Sequence, residues 1–197
     1  MIIVALWFLF AVLMGWITPN DLPDWQNLKE SMWVLVIGFL YYALPIRKTV
    51  NRRFHEKVCD NLVAKLVAAA DLESAAPKYT WKQIRPFFFS IVDADPSLTI
   101  KSKLAYSNGY LWTTAADARA VSVVYLCLAI FLAVLGKEEA VGASIVFLAL
   151  FLMTYFLSHF LTEKHIEIGN EQVEIISLKY REELRNVFAD VRDDTSK

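Results

Sequence analysis

Four stretches of this chain, Met1 to Thr18, Met32 to Ile46, Ala120 to Gly136 and Ala140 to Leu161, contain no Asp, Glu, Lys or Arg. Crossing a hydrocarbon core takes about 20 predominantly apolar helical residues. A segment in lipid must also satisfy its backbone hydrogen bonds internally, which favours helices. The sequence therefore predicts a mainly α membrane protein whose four transmembrane helices form two hairpins. The second stretch reaches the required length if Ser31 and the basic residues that follow it lie among the headgroups. The first has no basic n-region and no A-x-A-like cleavage site, so it reads as a span and not as a cleaved leader.

The net charge of −1 hides an asymmetry. Arg47, Lys48, Arg52, Arg53 and Lys57 follow the second stretch, and Arg119 precedes the third. The short connections, with Asp21, Asp24, Lys29 and Glu30 or Lys137, Glu138 and Glu139, have no basic surplus. Basic residues beside spans mark the cytoplasmic side. The expected arrangement is a multi-pass protein of the cell inner membrane with both termini cytoplasmic. Its parts are a first membrane hairpin (1–46), a cytoplasmic α+β segment (47–118), a second membrane hairpin (119–161) and a cytoplasmic tail (162–197).

The pattern from Arg47 to Glu73 is helical, because Val50, Phe54, Val58, Leu62, Leu66 and Ala70 recur every four residues, widened by Val63 and Val67. Two readings fit its basic first turns. Arg47, Lys48, Arg52 and Arg53 either fix topology alone or hold anionic lipid headgroups or a nucleic acid. Thr80-Trp81-Lys82-Gln83 has capping-box spacing, and Pro86 offers a competing helix start near Phe87. Asp93 and Asp95 before Pro96 read as turn residues, since the later oxygen ligands of a calcium loop are missing.

Beyond that turn the period changes to two. Leu98, Ile100, Leu104 and Tyr106 alternate with polar or small residues up to Asn108-Gly109, a dipeptide that predicts a β-hairpin because both central residues take positive φ. Lys101 and Lys103 beside Tyr106, Tyr110 and Trp112 then suit either a single-stranded nucleic acid or a solvated sheet face. A second hairpin is expected around Gly169-Asn170. A helix follows from Ser177 to Asp194, with Tyr180, Leu184, Val187, Phe188 and Val191 on one face. Phe87, Phe88 and Phe89, together with Leu184 and Phe188, are too apolar to face water and form the candidate interaction surface.

No P-loop, dinucleotide fingerprint, nucleophile elbow or H-E-x-x-H motif occurs, and His55, His159 and His165 have no metal-ligand spacing. Cys59 and Cys127 make no metal motif, and a disulfide between them is not expected. Neither an enzyme, a cofactor, a bound metal nor a small-molecule substrate is expected. Ionisable groups are missing from the spans apart from His159 near an interface, which argues against a transporter or voltage sensor. An oligomeric pore lined by Ser122, Ser144, Thr154 and Ser158 remains open. The small residues Ala129, Ala133, Gly136, Gly142 and Ala143 allow the last two spans a close approach.

The run from Arg85 to Thr99, then Asn108-Gly109 and Trp112, reads like a family motif. The layout of few spans, a compact cytoplasmic part and no enzyme motif resembles the small membrane proteins of bacterial anti-phage systems. It is most similar to the four-span subunit of Kiwa-type defence and the membrane effector of certain retrons. That resemblance implies an inner-membrane homo-oligomer, contacting membrane lipids, that senses infection or permeabilises the membrane. It further implies a cytoplasmic protein partner, itself a candidate carrier of nucleic acid. A non-enzymatic scaffold that recruits a cytoplasmic protein, or a small oligomeric channel, are the competing readings.

Overall fold

A computed structural model describes residues 2–16, 39, 41, 43, 46–72 and 79–194. Among the described residues the elements are six helices: α1 (Ile2–Leu13), α2 (Ile46–Ala69), α3 (Trp81–Ala94), α4 (Pro96–Val134), α5 (Glu139–Lys179) and α6 (Arg181–Asp194). They belong to two compact units, each built from two separate chain segments. Residues 1–52 with 112–159 make the first, and residues 53–111 with 160–197 make the second.

The expected α+β segment is not there. Asn108-Gly109 lies inside α4 and Gly169-Asn170 lies inside α5, so both predicted hairpins are corrected to continuous helix. Tertiary contacts override the local turn preference. The Asn108 side chain, buried against α5, donates from Nδ2 to the Leu161 carbonyl at 2.8 Å. Asn170 Oδ1 accepts a 2.7 Å hydrogen bond from Asn61 Nδ2 on α2. At Gly169 α5 lies directly against α2, since a Cβ there would lie 2.8 Å from Leu62 Cδ2. A Cβ on Gly109 would meet nothing nearer than His165 Cε1, at 3.8 Å. Gly109→Ala is therefore expected to stabilise the second unit by about 0.5–1 kcal/mol, the usual gain for replacing a mid-helix glycine. Thermal unfolding in mild detergent checks this, and a turn with positive φ would respond with a loss.

The four-span expectation is corrected as well. Among the described residues, two helices are long and apolar enough to cross a membrane: α4, with 39 residues, and α5, with 41. The first expected span appears as α1, whose 12 residues rise only about 18 Å. Most of the stretch from Met32 to Ile46 lies outside the described residues.

In the first unit Phe10 of α1 and Met14 just after it pack with Ala129 of α4 and Ala140, Ala143 and Phe147 of α5. The Phe10 ring stacks on Tyr125 with centroids 4.9 Å apart and tilts against Phe147 at 5.9 Å. The small residues Ala129, Ala140 and Ala143 are fully buried here, whereas Gly142 is exposed with no neighbour near its Cα. α4 ends in a left-handed Gly136 (φ 85°), whose N–H reaches the Ala133 carbonyl while the Lys137 N–H reaches Leu132. This glycine-capped stop satisfies two terminal carbonyls and lets α5 begin three residues later.

In the second unit the fourfold stripe of α2 is inside, with Val58, Leu62, Val63, Leu66, Val67 and Ala70 all buried. Full burial of one such aliphatic side chain is worth about 1.5–3 kcal/mol. α3 starts at Thr80, whose backbone N–H and hydroxyl both donate to Gln83 Oε1 at 2.8 Å. Pro86 sits within the helix and does not start it. α2 ends at Asp71 in the left-handed region (φ 62°). Arg185 of α6 closes that end, donating to the Ala70 carbonyl at 3.2 Å and pairing with the Asp71 carboxylate.

Candidate interaction surfaces

The outward face of the first unit is apolar over several turns. Val124 and Phe131 on α4, and Ile145, Met153 and Phe156 on α5, are exposed. Only 28 % and 22 % of the most apolar 18-residue stretches of α4 and α5 are buried. The hydroxyls that an oligomeric pore could have used are engaged or buried within this chain. Ser144, Thr154 and Ser158 donate to the carbonyls of Ala140, Leu150 and Thr154 on their own helix, each at 2.8 Å. Thr154, Ser158 and Ser122 are buried inside the single chain. Polar side chains gather at the other end of this unit, where Tyr41 donates to Asp117 Oδ1 at 2.8 Å and Arg119 donates to the Val50 carbonyl at 2.9 Å.

The structure separates the basic residues singled out in the sequence. Lys48, Arg52 and Arg53 are exposed along the start of α2; Arg47 belongs to the same turn, with its side chain outside the described residues. Lys57 pairs with Glu163. Lys101 pairs with Glu171 of α5, and this partner holds the Glu171 carboxyl below its ordinary range. Lys103 is exposed on another face of α4, and Trp112 is buried. The strand face on which Lys101, Lys103 and the aromatic rings would have lain together is therefore replaced by a helix that turns Lys101 and Trp112 away from Lys103.

The apolar candidates are also redistributed. Leu184 and Phe188 are fully buried and Phe88 nearly so, so these three are core of the second unit and not a surface. The Tyr79 ring lies 4.6 Å from that of Phe188 in an edge-on contact, and its hydroxyl donates to the Phe188 carbonyl at 3.3 Å. Phe87 is half-buried. Phe89 is exposed, with the Arg85 guanidinium 5.8 Å from its ring centre.

Asp95 and Pro96, expected to form a turn, make a junction between three helices. Asp95 leaves the helical region (φ −100°, ψ 116°) between α3 and α4. Its Oδ1 accepts from the Ser97 N–H at 2.8 Å and from the Ser97 hydroxyl at 2.5 Å, the capping pattern of a helix N-terminus with proline in first position. Oδ2 accepts from Lys179 at 2.8 Å and from the Tyr180 hydroxyl at 3.2 Å, which ties in the end of α5. Lys179 and Ser97 together hold the Asp95 carboxyl well below the ordinary carboxylate range.

A second buried polar contact joins α4 to α5. Asn108 Nδ2 lies 3.2 Å from His165 Nδ1 as well as reaching the Leu161 carbonyl. Burial and the nearby His55 lower the His165 pKa, so a neutral imidazole can accept from Asn108. Among the described residues no three His, Cys, Asp or Glu side chains converge as a metal site.

The sequence reading missed one surface. Ile100, Leu104, Tyr106 and Leu111 of α4 are exposed in the second unit. The spacing of Ile100, Leu104 and Leu111 (i, i+4, i+11) belongs to one helix face, a signal hidden by reading the same residues with period two. No protein-family model, curated protein or solved structure matches this chain.

Proposed function

We propose that this chain is an integral protein of the bacterial inner membrane that acts without catalysis, as a sensor or effector in anti-phage defence, through a cytoplasmic helical unit that engages other protein chains. One observation carries the membrane part. The apolar stretches of α4 and α5 are only 28 % and 22 % buried, whereas a core helix of a water-soluble protein hides most of its apolar side chains. Lipid supplies the missing cover. The exposed Lys48, Arg52 and Arg53 support a cytoplasmic second unit by the positive-inside rule. The defence setting rests on the sequence resemblance alone, an apolar chain whose remaining part carries no enzyme motif, since the four-span layout no longer supports it. The inward hydroxyls favour a sensor or recruiting role over a constitutive channel.

Alkaline carbonate extraction tests the membrane assignment, with the chain expected to stay in the pellet. A cysteine placed at Lys101 is expected to react with an impermeant maleimide only after the cells are opened. Labelling in intact cells would reverse the orientation, and release into the carbonate supernatant would overturn the reading. Purified chain in vesicles is expected to show no steady ion leak, and a persistent leak would favour the channel.

A further inference from the structure

We infer that the exposed face of α4 in the second unit docks a second copy of this chain. The inference rests on the membrane reading, because that reading leaves this face in water. Tyr106 is 80 % exposed, Ile100 64 %, and Leu104 and Leu111 52 % each, with the exposed Tyr110 beside them. Counting on the order of 200 Å² for each large aromatic side chain, these five amount to roughly 600 Å². That is the upper end of what a monomer leaves bare, and it approaches the ~800 Å² each partner contributes to a standard interface. Leu104 precedes the apolar stretch beginning at Ala120 by about 24 Å of helix at 1.5 Å per residue.

Charge selects the occupant. Beside the stripe is a hollow of about 280 Å³ lined by Val92, Asp93, Thr99, Ser102, Lys103 and Tyr106. Asp93 and Lys103 are both exposed and border the same hollow with opposite signs. A phosphate backbone or an anionic membrane needs a surplus of cations, yet Lys103 shares this hollow with Asp93 and the neighbouring Lys101 already pairs with Glu171. A second copy turned about a twofold axis presents the same stripe and the same two charges in reversed order. Each Lys103 can then meet the other copy's Asp93 while the apolar rows cover one another, since every contact across such an axis occurs twice.

The test uses the full chain in mild detergent, read by native mass spectrometry, with variants at exposed positions that leave the core intact. Wild type is expected as a dimer or a multiple of it, and Leu104→Arg as a monomer. Lys103→Glu and Asp93→Lys are each expected to weaken association about tenfold or more. The double variant K103E/D93K is expected to restore it, because the swap rebuilds the pairs. In a background with Cys59 and Cys127 changed to serine, Leu104→Cys is expected to give a cross-linked dimer with a short bis-maleimide. Unchanged association in Leu104→Arg, a double variant no better than the single ones, or no cross-link would overturn the proposal. Carbonate extraction of membranes from the same cells, before detergent is added, separates the two failures: loss from the pellet counts against the membrane reading and not against the dimer.

Discussion

Phe188→Ala is expected to unfold the second unit or bring it close to unfolding while the chain stays in the membrane. The ring is completely buried, packed edge-on against Tyr79, on the helix that closes the end of α2. Removing such a ring typically costs about 3–5 kcal/mol, a large share of the 5–15 kcal/mol that holds an ordinary domain together. Leu184→Ala, one turn away and equally buried, is expected to cost about 2–5 kcal/mol. Hydrogen exchange and limited proteolysis in detergent would show loss of protection in α3 and α6. If Phe188 were instead a docking residue on a surface, the variant would keep native protection and lose only its partner.

The second large effect concerns Asp95 and depends on pH. Its carboxyl titrates below its unfolded value of about 3.9. A depressed folded pKa contributes stability above the unfolded value, and that contribution is lost as pH falls through the depressed one. Wild type is therefore expected to keep this contribution at neutral pH and lose it only in strong acid, below the ordinary carboxylate range. Asp95→Ala removes both the cap of α4 and the link to Lys179 and Tyr180, with an expected shift of the unit's folding equilibrium of roughly five- to thirtyfold at pH 7. Asp95→Asn keeps a good capping side chain but not the charge, so it is expected to fall between the two and to lose the acid-dependent part. Thermal melts from pH 7 down to pH 2 separate the three. An Asp95→Asn profile that follows wild type would show that the ion pair with Lys179 contributes nothing.

The sequence announced helices wherever the buried stripe was itself apolar. Val58, Leu62, Leu66 and Ala70 repeat at helical spacing, and the structure buries all of them. The start of α3 was legible in Thr80 and Gln83, whose side chains do cap it. α4 was misread because its buried stripe is mixed. Leu98, Asn108, Trp112, Ala115, Arg119 and Ser122 are buried at spacings of three, four or their sums, yet half of them carry a polar group. Hydropathy therefore followed mainly the outward residues Ile100, Leu104 and Tyr106, which alternate by chance beside an Asn-Gly pair. The same holds in α5, where Thr154, Ser158, Thr162 and Gln172 are buried. Of the candidate surface, the apolar character of Phe88, Leu184 and Phe188 was legible, but not its destination. An amphipathic stripe does not say whether its cover is the chain's own core or another molecule, and here α3 and α6 supply it.

Because the second unit is assembled from residues 53–111 and 160–197, its first segment cannot close on its second until the residues from 160 onward have been made. At about 5–20 residues per second, the intervening stretch and the tail take several seconds to emerge from the ribosome. Throughout that interval α3 has no α6 beside it, and the stripe of α2 has no α5. Nascent chains in this state are targets for chaperones and for premature contact with one another. A ribosome stalled before Leu184 is codon-complete should hold a protease-sensitive α2 and α3, and addition of the final residues should make the same segments resistant. The order of synthesis thus makes α6 the helix whose arrival completes the second unit.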